Sequence, residues 1–114
     1  MLTIKALKDF GADVDQGLAR CLGNEALYLR LVNTALNDPS FAKLAEALEQ
    51  KDYDTAFESA HALKGVLGNL ALGSLYQVAT ELTDELRTRE DKDYQPLIQR
   101  LLKDKELLDS LRTG

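Results

Sequence analysis

Apolar residues recur every three or four positions along most of this 114-residue chain, and no segment shows the period-two alternation of a half-buried strand. Leucine and alanine, both strong helix formers, supply most of these residues. The most regular stripe comprises Ala56, Ala60, Leu63, Leu67 and Leu70. This pattern predicts an all-α protein in which each helix buries one face.

Turn and capping residues divide the N-terminal half into helices. Two short helices are expected over residues 3–10 and 13–22, separated by Gly11 and closed by Gly23. Asn24 suits the N-cap of a longer third helix, because its side chain can accept a hydrogen bond from a free backbone N–H of the first turn.

The run Asn37-Asp38-Pro39 interrupts that third helix. Asp38 suits an N-cap, and Pro39 suits the first helical position, where its missing N–H costs nothing. Either a new helix begins here, or one long helix bends at Asn37.

Three further helices are expected in the C-terminal half. The first covers about residues 53–70 and carries the regular apolar stripe. Ser74 and Gln77 fit a capping box at the start of the second, and the third begins near Asp93. Long amphipathic helices with short connections predict an antiparallel four-helix bundle, with the short N-terminal helices closing one end. The length predicts a single domain over residues 1–114.

Composition and charge argue against several classes of protein. The net charge is −5, and the basic residues are interspersed with acids, which disfavours nucleic acid and anionic membranes as partners. The sequence has no run of 18 apolar residues for a membrane span and no apolar run for a signal peptide. The lone Cys21 cannot form an internal disulfide. These features predict a cytoplasmic protein. The start at Met1 and the short tail lead us to expect a free-standing one.

The only histidine, His61, is expected at the boundary between the apolar stripe and solvent. Steps of three or four residues lead from it to Lys64, Gly65 and Gly68 on one face of the predicted helix. Glycine inside a helix costs about 1 kcal/mol relative to alanine. Two glycines beside the histidine therefore indicate that something large approaches the imidazole closely.

The usual catalytic and metal-binding arrangements are not visible in the sequence. Cys21 and His61 are forty residues apart, and one histidine with one cysteine cannot complete a tetrahedral nitrogen and sulfur site. No glycine-rich phosphate loop follows a strand. What remains is the imidazole as a nucleophile that carries a phosphoryl group, with Lys64 as a nearby cation.

Each of these residues also has a purely structural interpretation. A lone helical histidine is commonly a boundary residue, Lys64 alone is a solvated charge, and Gly65 and Gly68 permit close helix packing. Their combination on one stripe favours the functional interpretation. Phe57, one turn before His61, is open to both, as an apolar contact for a partner or as a residue at the edge of the core.

At this point the sequence resembles a histidine-containing phosphotransfer (HPt) domain of bacterial phosphorelays. That family carries an alanine, the phosphorylated histidine, any residue and then leucine-lysine-glycine. Here these residues are Ala60, His61, Leu63, Lys64 and Gly65, with further similarity at Asp52, Gly68, Asn69 and Leu70 and in the segments 13–18 and 22–25. One departure is Ala71, which stands where the family usually has glycine. This departure leaves open whether the histidine helix runs further or the turn that closes it differs.

The resemblance implies a phosphorelay role. A receiver-domain aspartyl phosphate would donate to Nε2 of His61, and a second receiver aspartate would accept the group, with Lys64 holding the phosphoryl oxygens. Phe57, Gly65 and Gly68 would form the partner surface. The partners would be response-regulator receivers and a hybrid histidine kinase, and the protein a monomer. The magnesium would belong to the receiver, so the chain would have no cofactor, metal or nucleotide site of its own and would not be an enzyme.

Two other functions remain open at this point. An inhibitor or phosphate-sink module would bind a kinase or receiver through the same face without onward transfer. A plain helical interaction module would bind its partner without any phosphorylation of His61.

Overall fold

The computed structural model describes residues 2–113, except for the side chain of residue 113. The predicted domain limits at Met1 and Gly114 lie outside the described residues. Within them the chain forms seven helices and no strand: α1 (Ile4–Phe10), α2 (Val14–Arg20), α3 (Glu25–Leu36), α4 (Ser40–Glu49), α5 (Tyr53–Asn69), α6 (Gly73–Leu86) and α7 (Gln95–Thr113). The predicted all-α class is confirmed.

The helices form the expected bundle with α5 at its centre. Helix α5 packs between α4 and α6, and α6 packs against α7. Helix α7 closes the ring by contacting α3, and its Lys105 Nζ lies 5.3 Å from the ring centre of Phe41 in α4.

The interruption at Asn37 is a true helix end rather than a bend. Helix α3 ends at Leu36, with Asn37 as its C-cap, and α4 begins at Ser40. Asp38 Oδ1 accepts a hydrogen bond of 2.8 Å from the Ser40 N–H, so its side chain binds the first turn of α4. The N-cap position itself is held by Pro39, which the sequence predicts as the first helical residue, so the helix begins one residue later than predicted. The predicted cap at Asn24 is confirmed, because its side chain accepts from the Leu27 N–H at 3.0 Å.

The predicted capping box at Ser74 and Gln77 is wrong. Helix α6 begins at Gly73, so Ser74 already lies in the first turn, and the N-cap Leu72 makes no side-chain cap bond. Tertiary packing sets this start. A Cβ on Gly73 would lie 2.9 Å from the Gly11 carbonyl oxygen, so the α1–α2 turn packs directly against the backbone of α6.

The core is made of leucine and alanine, as the composition indicates. All five residues of the apolar stripe of α5 are buried. Tyr28 of α3 is fully buried as well, and its hydroxyl donates to the Leu70 carbonyl at 2.8 Å. Burial raises the pKa of Tyr28 to about 12. The hydrogen bond joins α3 to the C-terminal end of α5 and fixes where that end lies.

Candidate functional site

The imidazole of His61 projects from the middle of α5 into solvent. Its neighbour Ala60 is fully buried, as is Leu63 two residues later, so the two faces of this turn are sharply divided. Within residues 2–113, no hydrogen bond or ion pair to the imidazole is present. Its ring nitrogens are therefore available to an approaching group.

A concave groove of about 470 Å³ opens beside His61. Helices α2, α5 and α6 line it together with the turns that precede α2 and α6: Asp13, Gln16, Arg20, His61, Lys64, Gly65, Gly68, Asn69, Ala71, Gly73 and Tyr76. Lys64 lies one helical turn beyond His61, is half-buried, and makes no ion pair among the described residues. The structure thus brings His61, Lys64, Gly65 and Gly68 to one surface, as the helical spacing predicts.

The two glycines of this surface have different surroundings. A Cβ on Gly65 would meet no atom within 4 Å, so this position faces open space. A Cβ on Gly68 would lie 2.8 Å from Tyr76 Cε1, because the tyrosine ring of α6 covers that glycine. Gly65 therefore leaves the surface beside His61 bare, whereas Gly68 permits the packing of α6 on α5.

Phe57 lies on the N-terminal side of His61, with the two ring centres 5.8 Å apart in an edge-to-face arrangement. It is half-buried at the edge of the core, and the guanidinium carbon of Arg89 lies 4.1 Å from its ring centre. Arg89 also pairs with Asp54 at 3.1 Å. Phe57 therefore packs on the core at one edge while a cation covers its ring, and its contact with a partner stays a prediction.

Arg20 of α2 is a groove residue that the sequence reasoning missed. Its Nη1 donates to the Gly68 carbonyl at 2.8 Å and lies 3.5 Å from Asn69 Oδ1. Arg20 and Gly68 are 48 positions apart in the sequence. No local spacing or motif connects them, so only the packing of α2 against the end of α5 reveals this cation.

Ala71 adopts a left-handed backbone conformation, with φ of 55°. Helix α5 ends at Asn69 with Leu70 as its C-cap, so the helix does not run further in response to the missing glycine. The left-handed turn is formed with alanine in place, at a steric cost of roughly 1–2 kcal/mol for an L residue.

The described residues also bear on metal and membrane binding. Among residues 2–113, no group of three histidine, cysteine, aspartate or glutamate side chains is arranged to hold a metal ion. No helix in this part of the chain combines the length and apolar character needed to span a bilayer.

A comparison with known families gives a match over most of the chain. The sequence model of the Hpt domain matches residues 34–113, which include α4 to α7 and the whole histidine helix. Comparisons with curated proteins and with solved structures give no match. The family match covers well over half of the chain, and the exposed histidine beside Lys64 and Gly65 agrees with it. The chain therefore belongs to the Hpt domain family, whose members act in histidine phosphotransfer between the kinases and response regulators of two-component signalling.

Proposed function

We propose that this protein relays a phosphoryl group between receiver-domain aspartates through reversible phosphorylation of His61. The observation that carries the proposal is the exposed imidazole, free of hydrogen bonds within residues 2–113, on an open turn of α5 beside Lys64. A nucleophile used in turn by two proteins must be accessible and must not be held by neighbouring side chains.

The chemistry needs only one nucleophilic nitrogen from this chain. The Nε2 lone pair of His61 attacks the phosphorus of the receiver's aspartyl phosphate, an N–P bond forms, and the P–O bond to the aspartate breaks. The aspartate leaves as a carboxylate, and the imidazole keeps its proton on Nδ1. The reverse reaction with a second receiver aspartate restores the neutral ring. Magnesium for both steps belongs to the receiver.

Lys64 supports this role through its charge. It lies one turn from His61, where its ammonium group can reach the oxygens of a phosphoryl group on the ring. A charge-assisted hydrogen bond of this kind favours the phosphorylated state. Gly65 keeps the same surface free of side chains, so the active site of a receiver can close over His61.

The test is phosphoryl transfer from purified receiver domains that carry a radioactive aspartyl phosphate. The wild-type chain should acquire an acid-labile, base-stable label and pass it to a second, unlabelled receiver. His61→Gln should acquire none while keeping the circular dichroism spectrum of a folded bundle. Glu58→Gln is a matched control, since Glu58 is exposed on the same helix, outside the groove, and its variant should be labelled normally.

Each other outcome points to a different function. Label on His61→Gln contradicts the proposed site. Label on the wild type without onward transfer indicates a phosphate sink, and binding of a kinase or receiver without label indicates an inhibitor. If no receiver or kinase labels or binds the chain, the support for a signalling role through His61 is lost.

A further inference from the structure

Arg20 occupies the groove in a way that phosphorylation of His61 does not explain. Its Nη1 is fixed by the Gly68 carbonyl, and Gly68 lies seven residues beyond His61. At 1.5 Å rise per residue, this places the guanidinium group about 10 Å further along α5. Arg20 is therefore too far away to contact a phosphoryl group on His61. If it binds a partner, it must bind a different group.

The guanidinium group still has donors to offer. No hydrogen bond from Nε or Nη2 of Arg20 is present among the described residues, whereas Nη1 is engaged by the end of α5. Two free N–H groups on one edge of a guanidinium plane match the two oxygens of a carboxylate. Because Gly68 already fixes the group, less conformational entropy is lost when a carboxylate binds.

The charge distribution favours an acidic partner at this position. Of the twelve cationic side chains outside the groove, seven are each paired with an acid and five are not. The paired residues are Lys51, Arg87, Arg89, Lys92, Arg100, Lys105 and Arg112, and the unpaired ones within residues 2–113 are Lys5, Lys8, Arg30, Lys43 and Lys103. The two cations of the groove, Arg20 and Lys64, have no such pair within residues 2–113. The acid in its lining, Asp13, caps α2 by accepting from the Gln16 N–H at 3.2 Å. A protein with net charge −5 thus presents unpaired positive charge beside its histidine.

We propose that Arg20 is a docking residue that binds a carboxylate side chain on the surface of the receiver partner, about 10 Å from the partner's phosphorylated aspartate. The inference rests on the proposed function, since it assumes that a receiver approaches His61. Arg20 lies outside residues 34–113, which the family model matches, so this contact belongs to the part of the chain that the match does not describe. It makes α2 a determinant of which receiver is accepted.

The experiment measures kcat and KM for transfer from the phosphorylated receiver that labels the wild-type chain fastest. Arg20→Gln removes the charge and the paired N–H groups and leaves a shorter polar side chain. We expect its KM to rise about tenfold, the size of one charge-assisted hydrogen bond, with kcat unchanged within about twofold. Arg20→Lys should recover only part of the loss, because an ammonium group cannot form the paired contact.

A charge reversal provides the control. Arg20→Glu should raise KM about a hundredfold. Arg30→Glu makes the same change in net charge at an exposed arginine of α3 outside the groove and should leave KM within about twofold of the wild-type value. Reversing one acidic side chain on the receiver to lysine should restore transfer to Arg20→Glu and to no other variant.

The outcomes separate this inference from the proposed function. If Arg20→Gln has the same KM as the wild-type chain, or if Arg30→Glu raises KM as much as Arg20→Glu does, the docking contact is overturned while the relay stands. A fall in kcat with KM unchanged also overturns it, since that result places Arg20 at the reaction step. Failure of every receiver to label the wild-type chain overturns both.

Discussion

Two regions of the molecule, an open turn in the groove and a packed end beneath it, use glycine for opposite purposes. In the open turn, residues 61–65 of α5, Gly65 faces empty space and leaves His61 accessible. In the packed end, formed by Gly17, Tyr28 and Leu70, the missing side chain of Gly17 lets a buried tyrosine lie against α2. The comparison shows that access and stability are assigned to separate positions, so substitutions should affect one without the other.

The largest expected effect is on the open turn. Gly65→Gln places a side chain one turn from His61 on the same face, where a docking partner must approach. We expect the rate of phosphoryl transfer to fall about a hundredfold, the loss associated with a misplacement of about 1 Å. Because glutamine has a higher helix propensity than glycine, the free energy of unfolding should at the same time rise by about 0.5 kcal/mol. Rapid-quench transfer assays and urea denaturation measure the two quantities. A slower rate together with lower stability would show that access and stability are not separate here.

The next effect is on the packed end. In Gly17→Ala, the new Cβ would lie 2.7 Å from Cζ of Tyr28, whose ring is fully buried and whose hydroxyl is held by Leu70. We expect urea denaturation to show a net loss of about 2 kcal/mol in the free energy of unfolding, because crowding outweighs the gain in helix propensity. Gly65→Ala is the matched control and should instead gain about 1 kcal/mol. Equal stability of the two variants would remove the distinction between the regions.

Alkaline pH provides a second test of the packed end. Burial raises the pKa of Tyr28 from 10.0 to about 12 in the folded protein. The unfolded chain therefore loses this proton first, and the contribution of Tyr28 is fully present below pH 10 and is lost as pH rises toward 12. Between pH 10 and pH 11, stability should fall by about 1 kcal/mol more in the wild type than in Tyr28→Phe. Identical pH profiles from denaturation at each pH would show that the hydroxyl titrates as it does in water.

The smallest effect concerns two residues with left-handed backbones. Leu22, with φ of 57°, is 96% exposed, whereas Ala71, with φ of 55°, is buried. Leu22→Gly should raise the free energy of unfolding by about 0.5 kcal/mol, since relief of strain exceeds the entropy that glycine adds to the unfolded chain. Ala71→Gly also removes a buried methyl group, worth about 0.8 kcal/mol, and should gain nothing. Thermal unfolding of both variants measures the difference, and a larger gain for Ala71→Gly would show that its methyl group packs poorly.

Local signals predicted most of the fold because helix periodicity and caps act within a few residues. The stripe of α5, the cap at Asn24 and the hydrogen bond from the Ser40 N–H to Asp38 are of this kind. The start of α6 was missed, since the close approach of Gly73 to Gly11 decides it. The same helical spacing predicted that His61 and Lys64 share one surface, but it could not predict that Arg20 of α2 lies in the same groove.

One further consequence follows from the single histidine of this chain and the groove beside it. Under the proposed relay, donor and acceptor receivers occupy the same surface, so they compete and a complex of all three proteins cannot form. The phosphorylated carrier must leave its donor before it meets its acceptor, which gives ping-pong kinetics. Spent donor that lingers on the groove would then slow the pathway, so an excess of the upstream protein would inhibit the signal that it starts.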